Sequence, residues 1–131
     1  MSRTDLLSDC IVCLKNAAMV KKEDVVIPYS GLIFRICEIL KNEGYLENFR
    51  KLEEGKKSFI KVYFKYKNKK CAFSDIKRIS KPSRRIYVAK DKVPFILRGR
   101  GLALVSTSVG LLTDREARKQ GLGGELLFCI W

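Results

Sequence analysis

The positive charge of this chain is concentrated in one stretch, and that feature constrains the fold most. Between positions 56 and 100 there are 16 basic and 2 acidic residues. Residues 1–55 carry 8 basic and 9 acidic residues, and residues 101–131 carry 3 of each. A block with a net charge of +14 repels itself, so the fold must spread it over a surface, where bound anions stabilise it. Phe59, Tyr63, Phe64, Tyr66, Phe73 and Tyr87 interleave with these lysines and arginines. Basic residues alternating with rings point to a nucleic acid, although most of the rings read as strand core. The plainer alternative is a solvated, lysine-rich face. With 131 residues, 47% of them hydrophobic, the chain fills a modest core as one domain or two very small ones.

Several function classes fall away. There is no histidine, which excludes Ser–His–Asp and Cys–His nucleophiles, histidine-ligated zinc and imidazole acid–base work. A metal-dependent nuclease needs clustered carboxylates, and the basic block offers only Asp75 and Asp91. Ser106, Thr107 and Ser108 lack an obvious base. The chain is therefore read as no enzyme, with no catalytic residues, no cofactor, no metal and no small-molecule substrate. The longest uncharged run, from Gly101 to Asp114, has 12 intervening residues and cannot span a bilayer, so no membrane partner is expected. Met1-Ser2-Arg3-Thr4-Asp5 shows no export signal. The five cysteines are odd in number and irregular in spacing, so they read as buried small hydrophobes in a reducing compartment. Cys10-x-x-Cys13 has neither a second pair nor a histidine to complete a zinc site.

Periodicity gives the elements. Leu7, Cys10, Ile11, Leu14, Ala17 and Ala18 predict an amphipathic helix over residues 4–20. Val25 to Ile27 is a short strand stopped by Pro28. Ser30 caps a second helix with Leu32, Ile33, Ile36, Ile39 and Leu40 on one face, and Gly44 ends it. Residues 45–53 and 58–66 read as strands around the turn at Glu54-Gly55. In the second, Phe59, Ile60, Val62, Phe64 and Tyr66 are set against Lys61, Tyr63 and Lys65. Residues 67–70 form a hairpin turn from which 71–79 pair back. Beyond Lys81-Pro82-Ser83 come a short strand at 84–89 and a helical turn from Asp91 to Phe95. Strands follow at Leu102–Ser106, with Ala103 to Val105 buried on both faces, and at Val109–Leu112. Thr113-Asp114-Arg115-Glu116 matches a capping box for a short helix ending at Gly121. Glu125–Trp131 is the last strand. The fold class is α+β: an N-terminal αβαββ lobe over residues 1–68, packed on a β-rich C-terminal lobe with one short helix over 69–131.

Two motifs carry candidate chemistry. Gly121-x-Gly123-Gly124 follows a helix and opens a strand, the reverse of a dinucleotide fingerprint. It reads as a helix cap and tight turn, or as a place where backbone approaches a ligand closely. Ser106-Thr107-Ser108 is either an ordinary turn or a cluster of small groups able to meet phosphates, ribose hydroxyls and base edges. Arg98-Gly99-Arg100-Gly101 reads as a turn.

Together these segments resemble a known family. Ala103 to Gly110, then Leu112 to Arg118, then Gly121 to Glu125 are similar to the signature of the eighth protein of the bacterial small ribosomal subunit. Lys81-Pro82-Ser83-Arg84-Arg85-Ile86-Tyr87 resembles that family's R-P-G-x-R-I-Y segment. Asp5 to Ala17 is similar to its N-terminal D-P-I-A-D-M-L-T-R-I-R-N-A, and Gly44-Tyr45-Leu46 to its E-G-F/Y-I. The likeness implies a structural protein that binds the central domain of small-subunit ribosomal RNA, supports subunit assembly and touches neighbouring small-subunit ribosomal proteins. A coexisting alternative is autogenous repression through the chain's own operon messenger RNA. The implied RNA-binding residues are Ser106, Thr107, Ser108, Tyr87, Arg84, Arg85, Gly123, Gly124, Glu125, Lys15, Asn16 and Arg115. The implied location is the cytoplasmic ribosome, with an organellar ribosome as the alternative. Departures are Leu6 for proline, Val12 for threonine, Cys13 for arginine and Val109 for lysine. Each lost cation lowers the salt dependence of RNA binding by about 0.7–0.9 in log–log slope.

Overall fold

The computed structural model describes residues 3–81, 83–93 and 101–131, with side chains in the first helix from Leu6 onward. The chain is α+β and divides into two compact units, Met1–Phe73 and Ser74–Trp131.

In the first unit, α1 (Arg3–Met19) buries Leu7, Cys10, Ile11, Leu14 and Ala17. It ends where Lys21 takes a positive φ of 59° and the Lys22 amide donates to the Ala17 carbonyl. Strand β1 (Asp24–Pro28) follows. It lies at a sheet edge, where the missing amide of Pro28 is tolerated. Helix α2 (Gly31–Asn42) starts at Ser30, whose hydroxyl accepts from the Ile33 amide at 3.1 Å, and buries Ile33, Ile36, Cys37, Ile39 and Leu40. Gly44, with φ of +84°, turns the chain into β2 (Leu46–Glu54). Strand β3 (Lys57–Phe64) runs between β1 and β2, antiparallel to both. Its buried face is Ile60, Val62 and Phe64, whereas Phe59, Lys61 and Tyr63 share the opposite face. Phe59 thus sits apart from Val62 and Phe64, with which the sequence grouped it, because the two-residue period of the core starts at Ile60. A tight hairpin, β4 (Tyr66–Lys67) and β5 (Lys70–Cys71), completes the unit.

The second unit is a five-stranded antiparallel sheet and one helix. Its strands are β6 (Ile76–Arg78), β7 (Tyr87–Val88), β8 (Leu102–Thr107), β9 (Gly110–Thr113) and β10 (Gly124–Ile130). The order is β6-β10-β8-β9, with β7 also on β10. Lys70 and Cys71 pair back across the 67–70 turn and the Ala72 amide donates to the Lys65 carbonyl, after which the expected return strand is diverted. The Ser74 and Asp75 amides donate to the Trp131 carbonyl, and β6 pairs with the far end of β10. The apolar run Leu126–Ile130 makes β10 the central strand, and all five residues are buried. Leu102 to Val105 of β8 are also buried throughout, as their uninterrupted apolar sequence requires.

Helix α3 (Asp114–Gln120) is capped as its sequence predicts. The Thr113 hydroxyl accepts from the Glu116 amide at 3.1 Å, and Gly121 is left-handed at φ 68°. Asp114 does more than favour the helix start. It is buried, bonded to Arg118 at 3.0 Å, and accepts from the Ala103 amide at 3.3 Å, which ties α3 to β8. Ala117 joins Val93, Ala103, Val105, Leu112, Leu126 and Cys129 in the core between helix and sheet. The Lys92 amide donates to the Ala89 carbonyl, but the helical turn expected from Asp91 to Phe95 runs into residues 94–100. Those residues, Arg98-Gly99-Arg100 among them, lie outside the described residues, as does Pro82.

Candidate nucleic-acid interface

Three expected residues, far apart in sequence, become one row across the second sheet. Glu125 of β10 is the register partner of Tyr87 on one side and of Ser106 on the other. Directly opposed residues project to the same face, so Tyr87, Glu125 and Ser106 stand side by side. Tyr87 is 70% exposed and Ser106 is exposed, while Glu125 is half-buried. An exposed ring and an exposed hydroxyl, one on each side of Glu125, offer a stacking plane and a small polar contact on one face.

The glycines make this row possible. A Cβ on Gly124 would lie 2.1 Å from the Ser106 carbonyl oxygen, and one on Gly123 would lie 2.3 Å from that of Val88. Both positions are filled by the protein's own backbone. Gly123 and Gly124 therefore let β10 enter between β7 and β8, and close approach to a ligand is not needed to explain them.

Next to the row, β8 and β9 join through the two-residue turn Ser108-Val109. The Thr107 hydroxyl donates to the Gly110 carbonyl at 2.7 Å and accepts from the Val109 amide at 3.3 Å. It braces the turn from within. The Ser106 and Ser108 hydroxyls are exposed and make no hydrogen bond among the described residues. The three-hydroxyl motif is thus one brace flanked by two free groups.

Glu125 is held from below. Its Oε2 accepts from the hydroxyl of Ser80 and from Arg85 at 3.0 Å. Ser80 is buried, and its Oγ also accepts from the Ile86 amide at 3.2 Å, while its carbonyl accepts from Arg78 at 2.7 Å. Burial pushes the Glu125 carboxyl up. The Ser80 and Arg85 hydrogen bonds and the nearby arginine charges outweigh it, and the net shift is downward. Glu125 is therefore a charged anchor for the segment carrying Arg84, Arg85 and Tyr87. Nothing in the alternation of the sequence distinguishes Ser80 and Arg78, which sequence reasoning missed; only their position beside β10 does.

The remaining expected residues are more scattered. Arg84 and Lys81 are exposed and bridge through their backbones, and each amide donates to the other's carbonyl. Arg115 is exposed at the start of α3. Lys15 and Asn16 are exposed near the end of α1, in the first unit. Among the described residues no three or more Cys, Asp or Glu side chains gather as a metal site, and no helix is long and apolar enough to cross a membrane. Burial pushes the Cys10 thiol up beyond the ordinary range and that of Cys37 up to about 12, which suits unreactive core residues.

Comparison with known proteins decides what this frame belongs to. The profile of the family described as ribosomal protein S8 matches residues 5–131. A small ribosomal subunit protein uS8 from Dictyoglomus thermophilum is 45% identical over 131 residues, covering 100% of both chains. Its counterpart from Syntrophomonas wolfei is 46% identical over 132 residues with the same coverage, and that from Ruminiclostridium cellulolyticum is 44% identical. The chain belongs to the ribosomal protein S8 family. As an S8-family protein it is a structural constituent of the small ribosomal subunit. Ribosomal RNA and other ribosomal proteins are the partners that such a place implies.

Proposed function

We propose that the second unit binds the central domain of small-subunit ribosomal RNA and thereby supports subunit assembly, with no catalytic step. The observation that carries this reading is the row Tyr87–Glu125–Ser106, with the braced turn at its side. Tyr87 supplies a stacking face. The free hydroxyls of Ser106 and Ser108 meet ribose and backbone groups across a shallow groove. Lys81, Arg84 and Arg85 neutralise phosphates, and Gly123, Gly124, Glu125 and Thr107 hold the surface in shape. Small neutral groups on a rigid frame read RNA by form, whereas the arginines add affinity for any RNA. Arg115, Lys15 and Asn16 serve as peripheral contacts. The same form-reading admits a messenger RNA of like shape, so repression of the chain's own operon is the second reading. A reporter carrying that operon's leader would respond to added protein if it holds.

The test is binding to the central-domain helix and to a regular RNA duplex of equal length across a salt titration. The expected preference is about 10³-fold, the lower end for specific nucleic-acid recognition. Equal affinity for both would exclude the reading.

A further inference from the structure

Among the described residues only three non-glycine residues have positive φ: Lys21 at 59°, Asn68 at 53° and Lys69 at 66°. All three lie in the first unit, in two turns that one hydrogen bond brings together. The Tyr66 hydroxyl donates to the Lys22 carbonyl across 44 positions of sequence. Beside it the Phe64 amide donates to the Glu23 carbonyl. The turn that ends α1 is thereby held against Tyr66 of the β4–β5 hairpin; Lys21 and Lys22 on the one side and Lys65, Lys67, Lys69 and Lys70 on the other are all exposed.

Four of these lysines, Lys21, Lys67, Lys69 and Lys70, occupy positions that local stability does not favour. Helices commonly end on a left-handed glycine, yet Lys21 fills that place after α1. A two-residue hairpin turn with two positive φ values favours asparagine followed by glycine, yet Lys69 follows Asn68. Lys67 and Lys70 are direct register partners, and like charges placed opposite each other destabilise a strand pair. Elsewhere the chain uses glycine where φ is positive, at Gly44, Gly55, Gly110 and Gly121. None of the six lysines has an ion-pair partner among the described residues. Lysines in strained or repelling positions without ion-pair partners, on two turns that a hydrogen bond joins, indicate a function that outweighs stability.

We propose that these two turns form a second RNA-binding site, a clamp for the phosphate backbone in the first unit, distinct from the shape-reading row of the second. The site reads no sequence, because an ammonium meets a phosphate as a point charge. It shares with the preceding reading only the premise that the polyanion is RNA. Met19 and Val20 are also exposed beside Lys21, a feature that an anionic membrane would use as well, so vesicles form an arm of the test.

The full chain is compared with Lys69→Gly and with the triple variant Lys67→Gln, Lys69→Gly, Lys70→Gln. The probes are the central-domain helix, a regular RNA duplex, and vesicles of phosphatidylglycerol and phosphatidylcholine. Lys69→Gly is expected to raise the melting temperature of the free protein by about 2–4 °C while weakening binding to both RNAs. No purely structural role gives those opposite signs. The triple variant should lower the log–log salt slope by about 2 to 3 on both RNAs and leave their affinity ratio unchanged. An unchanged slope would overturn the clamp, as would vesicle binding lost by the triple variant while RNA binding stays intact. Failure of the wild-type protein to prefer the cognate helix would sink only the earlier reading.

Discussion

Two of the hairpins that close through two-residue turns, β8–β9 and β4–β5, are built on opposite principles. At the β8–β9 tip the turn is neutral. A threonine hydroxyl closes it from inside, Gly110 takes the φ of +120°, and the strand below is locked by glycines against backbone. At the β4–β5 tip lysine takes a place that suits glycine, two lysines face each other, and the Tyr66 hydroxyl ties the hairpin to the turn after α1. The first tip is stable before any ligand arrives, and the second is relieved by an anion. A rigid neutral surface can discriminate shapes. A repelling cationic one contributes affinity without discrimination.

The largest effect expected from breaking this contrast comes from Gly124→Ala. The added methyl must displace the Ser106 carbonyl from 2.1 Å, and neither strand can move without disturbing a buried core. Destabilisation of about 2–3 kcal/mol is expected, read by urea denaturation, together with loss of cognate preference. Unchanged stability would show that β8 is free to shift. A substitution at the charged tip changes the salt slope instead and spares the preference.

Next in size is the pair Ser106→Ala and Ser108→Ala. Neither hydroxyl supports the fold, so stability should hold. Two lost hydrogen bonds of about 0.5–1.5 kcal/mol each should weaken cognate binding on the order of 10-fold and leave duplex binding and salt slope alone. If both RNAs weakened equally, the neutral tip would not be the discriminating element. Thr107→Val should behave differently, lowering stability as well, because its hydroxyl is spent on the turn.

How much of this was legible in the sequence depended on the range of the interaction. The starts of α2 and α3 were readable, since a Ser30 or Thr113 hydroxyl capping an amide three residues on is a local event. Ile36 and Leu40, or Ala103 to Val105, announced their burial by period or by unbroken apolar character. Pairings set by distant strands were not readable. The diversion of residues 74–78 onto β10 depends on Trp131, more than 50 positions away. The candidate site divided the same way. Ser106 to Ser108 were visible as a motif, but the division into one brace and two free hydroxyls was not. Ser80 carried no signal, because its importance lies in meeting Glu125 across 45 positions. The strain at Lys21 and Lys69 was equally hidden, since φ follows from which turn the flanking strands impose.

The smallest expected effect concerns what holds the neutral tip's neighbour in place. Glu125 has a carboxyl lowered from the ordinary glutamate value of 4.5, so the folded state prefers its charged form. A lowered carboxyl contributes stability that is fully present above the ordinary value and is lost as pH falls through the lowered one. Between pH 7 and 5 the contribution should be flat. Below about pH 4.5 the wild-type protein should lose stability faster than Glu125→Gln, since the amide has no charge to lose. Other carboxylates titrate in the same window, and the difference between the two proteins isolates this one. Parallel acid profiles would mean that Ser80 and Arg85 hold a glutamine as firmly as a glutamate, making the anchor one of hydrogen-bond geometry and not of charge. In either case the charged hairpin gives the contrasting control. Lys69→Gly removes no carboxylate, so it should follow the wild-type acid profile while differing in its salt slope on RNA.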